Sequence, residues 1–149
     1  MNIEIYTDAS YDPKTKIAIY GELIIDNQNL NQPIYNFSST IIENTTNTEA
    51  EIYGVLNILD KFDPQNYLTI YTDCQMIINL VSCDERKKNK PIYDKFYNLY
   101  DKCGDRCKFI KVVGHKNKDL RNNIEENFSK LDKYVRKQLR LHLRNLQSI

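Results

Sequence analysis

The triplet Tyr-Thr-Asp occurs twice in this chain, at 6–8 and at 71–73, each time closing an apolar, β-branched run and preceding a small residue. The first run is Asn2-Ile3-Glu4-Ile5-Tyr6-Thr7-Asp8-Ala9-Ser10, with Ile3, Ile5 and Thr7 alternating against Glu4, Tyr6 and Asp8. Alternation of this kind predicts a strand, here one that ends on Asp8. The second run is Tyr67-Leu68-Thr69-Ile70-Tyr71-Thr72-Asp73-Cys74. Two strands that each deliver an Asp after a Tyr-Thr pair predict neighbouring carboxylates in one sheet. A single Asp in such a place only caps the next turn or helix. The repetition favours a shared site.

The remaining elements follow from period and punctuation. Asp12-Pro13 marks a turn, and Ile17 to Ile25 and Ile34 to Ile42 read as the second and third strands, making an antiparallel meander. The period then changes. Thr46-Asn47-Thr48-Glu49-Ala50-Glu51 contains two overlapping capping boxes, Thr46 with Glu49 and Thr48 with Glu51. Ile52, Val55, Leu56, Leu59 and Phe62 continue at helical spacing until Asp63-Pro64 stops them. A fourth strand at 67–72 leads into a short helix, Gln75 to Val81, and a charged loop, Asp84 to Lys90. Pro91 opens a helix through Tyr100 that stops near Gly104. Lys108 to Val113 is a fifth strand, ending in Gly114-His115. After a polar stretch, Lys116 to Asn123, the last helix carries Ile124, Phe128, Leu131, Val135, Leu139, Leu143 and Leu146 on one stripe. A meander followed by βαβ units predicts an α/β fold: a mixed five-stranded sheet with helices on both faces, in one domain spanning 1–149.

Charge and cysteine usage narrow the function classes. The net charge is +1, but residues 1–107 carry 10 Lys/Arg against 16 Asp/Glu, whereas 108–149 carry 11 against 4. An acidic body with a basic last segment suits a polyanion partner or a solvated amphipathic helix. Cys74, Cys83, Cys103 and Cys107 form no C-x-x-C pair, and the only histidines are His115 and His142, so a structural zinc site is not expected. Free thiols, no apolar run of membrane-spanning length and no export signal lead us to expect a cytoplasmic or nuclear protein, a monomer with no membrane partner.

At this point the chain resembles ribonuclease H of the type 1 family. Tyr6-Thr7-Asp8-Ala9-Ser10 looks like the family's first-strand motif, and Thr46 to Glu51 is similar to its Thr-Asn-x-x-x-Glu helix start, which selects Glu51 over Glu49. Tyr71-Thr72-Asp73-Cys74-Gln75 resembles its Thr-Asp-Ser-Gln motif, and Val112-Val113-Gly114-His115 its Gly-His after strand five. The order of elements agrees over nearly the whole chain. Cys74 stands where the family usually has Ser, Ala9 where Gly is common, and Phe128 where an Asn commonly lies four residues before the last Asp.

The resemblance implies a ribonuclease H-like sheet and an endonuclease acting on the RNA strand of RNA–DNA hybrids. It implies Asp8, Glu51, Asp73 and Asp132 as metal ligands, with His115 moving protons or helping product leave. Crowded carboxylates repel one another unless cations neutralise them, and oxygen ligands suit two Mg²⁺ ions, or Mn²⁺. A pair of such ions activates water and stabilises the leaving oxygen of a phosphodiester. For the fourth acid, Leu131-Asp132-Lys133-Tyr134-Val135-Arg136-Lys137 resembles the family's last-helix pattern; Glu126, four residues after Asn122, and Asp119 remain rivals. By the same resemblance Asn47 and Gln75 reach the minor groove, where 2′-hydroxyls mark RNA, with Ser10 beside them. Lys87, Lys88 and Lys90 are candidates for the backbone phosphates. The competing readings are a non-catalytic hybrid-binding module on the same fold, or another nuclease of the superfold such as a resolvase or transposase core.

Overall fold

The computed structural model describes residues 2–26, 33–114 and 116–147. Its strands are β1 (Asn2–Asp12), β2 (Ile17–Asp26), β3 (Ile34–Ile42), β4 (Tyr67–Thr72) and β5 (Cys107–Lys111). Its helices are α1 (Asn47–Lys61), α2 (Gln75–Ser82), α3 (Pro91–Cys103) and α4 (Asn123–Gln147). The sheet order is β3-β2-β1-β4-β5. The β1–β2 and β2–β3 pairs are antiparallel, and β1–β4 and β4–β5 are parallel. This is the mixed sheet the alternating runs predict.

Each face of the sheet is covered. Ile5, Leu68 and Ile70 pack with Ile52, Val55 and Leu59 of α1, Ile77 and Leu80 of α2, and Ile92 and Phe96 of α3. On the other face Tyr6, Ile19, Leu23 and Tyr71 meet Phe128, Leu131, Val135 and Leu139 of α4. Full burial of such a side chain contributes roughly 1.5–3 kcal/mol, so each α4 contact anchors the helix that carries Asp132. Gly21 makes this approach possible: a Cβ there would lie 2.4 Å from Val135 Cγ1 and 3.1 Å from the Ser38 carbonyl oxygen. Gly21 pairs with Asp8 across the β1–β2 ladder. The missing side chain therefore seats α4 directly over the first Tyr-Thr-Asp.

Three local expectations change. Asp8 does not end its strand, because β1 continues to Asp12, paired with β2 as far as Asp12–Ile17. What ends near Asp8 is the pairing with β4, whose last partners are Tyr6 and Tyr71. Only one of the two capping boxes caps: Thr46 Oγ1 accepts from the Glu49 N–H at 3.2 Å, and Thr48 lies inside the helix. Glu49 turns to Thr45, whose hydroxyl donates to Glu49 Oε2 at 3.2 Å, which leaves Glu51 to point elsewhere. The fifth strand stops at Lys111, although the Val112 N–H still donates to the Thr72 carbonyl at 2.8 Å.

Candidate active site

The register brings the two triplets together. Tyr6 lies opposite Tyr71 in the parallel ladder, so two residues further on Asp8 falls beside Asp73, just past the end of β4. The Tyr6 and Tyr71 rings stack behind them at 4.6 Å with planes 16° apart. Thr72 shapes the turn after β4 by accepting from the Cys74 N–H at 3.1 Å. Gly114 comes in from β5, where a Cβ would stand 3.2 Å from Asp73 Oδ2. Glu51 enters from the first turns of α1, and the Ala9 N–H donates to its carboxylate.

Carboxylate oxygens of Asp8, Glu51 and Asp73 all lie within 4.8 Å of one another. Asp8 and Glu51 are buried, at 4% and 6% exposure. Asp8 Oδ2 and Glu51 Oε2 are buried without a hydrogen-bond partner among the described residues. Burial pushes the Asp8 pKa well above the usual carboxylate range, and Glu51, Asp73 and Asp132 add to it. Burial, then Asp73, lifts Glu51 to about 8. Two negative groups stripped of water and facing a third acid need either protons or a cation. Orphaned, all-oxygen donors at this spacing fit a hard divalent ion. The acidic cluster is thus compatible with metal binding.

Asp132 of α4 lies outside the three-carboxylate grouping but among the groups that raise Asp8. It acts on Asp8 at short range and forms an ion pair with Arg136, one turn on. Glu126 and Asp119 are not among the acids that raise Asp8. Glu126 faces Arg121 at 3.5 Å, and Asp119 is exposed on a 3-10 turn, Lys118–Leu120. His115 lies outside the described residues. Ser10 is half-buried on β1, and Asn47 and Gln75 are exposed at the starts of α1 and α2. Gln75 donates to Asn79 Oδ1 at 2.9 Å and accepts from Lys111 Nζ at 2.5 Å. Lys87 and Lys88 are exposed on the loop before α3, with Lys87 Nζ 5.7 Å from the Tyr93 ring centre.

One part of this region goes unread in the sequence. Glu125 is buried beside the cleft that holds Asp132, and Lys116 pairs with it at 2.9 Å. Lys116 holds its carboxyl below the usual range. Glu125 Oε1 accepts from the Asn122 N–H and Asn122 Oδ1 from the Glu125 N–H, closing a reciprocal cap at the start of α4. Its sequence signal is Asn122-x-x-Glu125, an Asn followed three residues later by Glu.

All four cysteines are free, and the acidic cluster is the one metal-competent grouping among the described residues. No described helix is long and apolar enough to cross a membrane. The sequence model of the RNase H family matches residues 1–139. No curated protein matches the chain significantly.

Proposed function

The chain belongs to the RNase H family, and from that premise we propose that it is a divalent-metal-dependent endonuclease hydrolysing the RNA strand of RNA–DNA hybrids. The observation that carries this reading is the buried Asp8–Glu51–Asp73 cluster with its unpartnered oxygens. A non-catalytic binding module has no use for three mutually repelling carboxylates, two of them almost stripped of water.

Asp8, Glu51 and Asp73 would hold the ions, two Mg²⁺ or Mn²⁺, with Asp132 as the fourth acid beside Asp8. When bound, such ions supply Lewis-acid activation of water and stabilise the departing oxygen. The protein's own part is to fix the acids. Gly21 and the α4 contacts set Asp132, the Thr72 turn sets Asp73, and the Ala9 N–H aims Glu51. Asp132 adds to the raised pKa of Asp8, so a cation neutralising Asp8 would also relieve the repulsion between the two. Ser10, Asn47 and Gln75 are assigned to the minor groove and its 2′-hydroxyls, Lys87 and Lys88 to phosphates, and His115 to proton transfer.

End-group analysis of the products tests this directly. Attack by water leaves a 5′-phosphate and a 3′-hydroxyl on the cut RNA. A 2′,3′-cyclic phosphate would mean that the RNA's own 2′-hydroxyl attacks, as in metal-free ribonucleases, and would remove the need for the acid cluster.

A further inference from the structure

From Lys133 to Gln147, α4 carries five basic residues and no acidic one. Lys133, Lys137, Arg140 and Arg144 recur at intervals of four, three and four, so they share one face, with Arg136 on its flank. All five are exposed. Lys133, Lys137 and Arg140 have no ion-pair partner among the described residues. Like charges at i and i+4 weaken a helix, and solvated faces ordinarily mix Glu with Lys. The last turn's favourable dipole covers Arg144 only. Local helix stability therefore does not explain the stripe.

We propose that this stripe is a nucleic-acid backbone track, extending the nuclease site along the phosphates that flank the cleaved bond. The inference rests on the nuclease reading and names which part of the chain grips its substrate. The stripe begins one residue after Asp132, which shares a cleft with Arg136 and with Gly114, the neighbour of Asp73, so its first turn lies next to the acids. The eleven helical steps from Lys133 to Arg144 span about 16 Å, roughly five nucleotide steps of ~3.4 Å. The loop before α3 is a weaker candidate. It contains Asp84 and Glu85, and its Arg86 is committed to Asp101 at 2.8 and 2.6 Å and to the Tyr97 ring at 4.5 Å. An anionic lipid surface suits the stripe less well, because Leu131, Val135 and Leu139 are buried against the sheet and α4 cannot present them to a bilayer.

The test is hybrid binding followed by fluorescence anisotropy across a salt series, in EDTA to prevent cleavage, with steady-state kinetics in Mg²⁺ alongside. The triple variant Lys133→Gln/Lys137→Gln/Arg140→Gln is compared with the parent and with Lys102→Gln/Lys108→Gln, at the sheet end away from Asp73. Equal melting temperatures establish that all three are folded. At ~0.9 units of salt slope for each phosphate contact, the triple variant becomes shallower by about 2–3 units, its loss of activity falls on KM, and the control keeps the parental slope. An unchanged slope in the triple variant overturns the track and leaves the nuclease reading standing if the parent cleaves hybrid. An equal loss in the control also overturns it, as does loss of binding to anionic vesicles with hybrid binding intact. Absence of hybrid binding by the parent overturns both inferences.

Discussion

Replacing Asp8 by Asn removes hybrid cleavage while the metal-free protein melts at a higher temperature. Asp8 is 4% exposed, and one of its oxygens has no partner. It faces Glu51, Asp73 and Asp132. Its carboxylate is therefore the group that a cation most needs and that the metal-free fold least tolerates. Loss of a member of a catalytic constellation lowers kcat by roughly 10³-fold or more. Asn keeps the shape but never ionises, so it relieves repulsion wherever pH would otherwise force the charge. The expected gain is about 1–3 kcal/mol, a few to about 10 °C for a chain of this size, growing from pH 6 to pH 9. A fall in metal-free melting temperature across that range would make Asp8 a structural residue.

The second large effect is an unusual pH profile. A carboxyl whose folded pKa is raised stays protonated in the native state after the unfolded chain has released its proton. Its contribution to stability is complete below the unfolded value, here 4.5, and is lost as pH rises through the folded value, about 8 for Glu51. Asp8 shifts in the same direction. Metal-free protein therefore loses stability steadily from about pH 5 to pH 8, by roughly 3–5 kcal/mol if the Glu51 shift is fully expressed. On the acid side the sign reverses. Asp12, held low by the Thr15 hydroxyl, Asp101 by Arg86, and Glu125 by Lys116, lose their stabilisation as they protonate. Mg²⁺ binds the ionised native cluster, so its stabilising effect increases with pH. Melting curves from pH 4 to 9, in EDTA and in Mg²⁺, measure both slopes. A metal-free melting temperature that stays level or rises between pH 5 and 8 would show that the acids are not crowded in solution.

The parts of this site legible in the sequence are those set by period and register. Strand alternation places the two Tyr-Thr-Asp triplets, and pairing Tyr6 with Tyr71 necessarily brings Asp8 beside Asp73. The α4 stripe of Phe128, Leu131 and Val135 places Asp132 at the edge of the buried face. What escapes the sequence depends on contacts between distant segments. Gly21 reads as an ordinary residue inside a strand until α4 is laid over it. Nothing local distinguishes Thr46 from Thr48 as the cap; the choice is made by Thr45, which claims Glu49 and is itself tied through its N–H to the Lys16 carbonyl at 3.0 Å. Asp8 reads as a strand end because small residues follow it, yet β2 keeps pairing to Asp12.

The buried acids, loaded with a divalent ion, are expected to hydrolyse RNA paired to DNA. This is tested most directly by incubating the protein with end-labelled RNA–DNA hybrid, RNA duplex, DNA duplex and single-stranded RNA, each in Mg²⁺ and in excess EDTA. The expected result is internal cuts in the RNA of the hybrid, in Mg²⁺ only, with the other substrates left intact. Cleavage that persists in EDTA, or proceeds equally on single-stranded RNA, would contradict it.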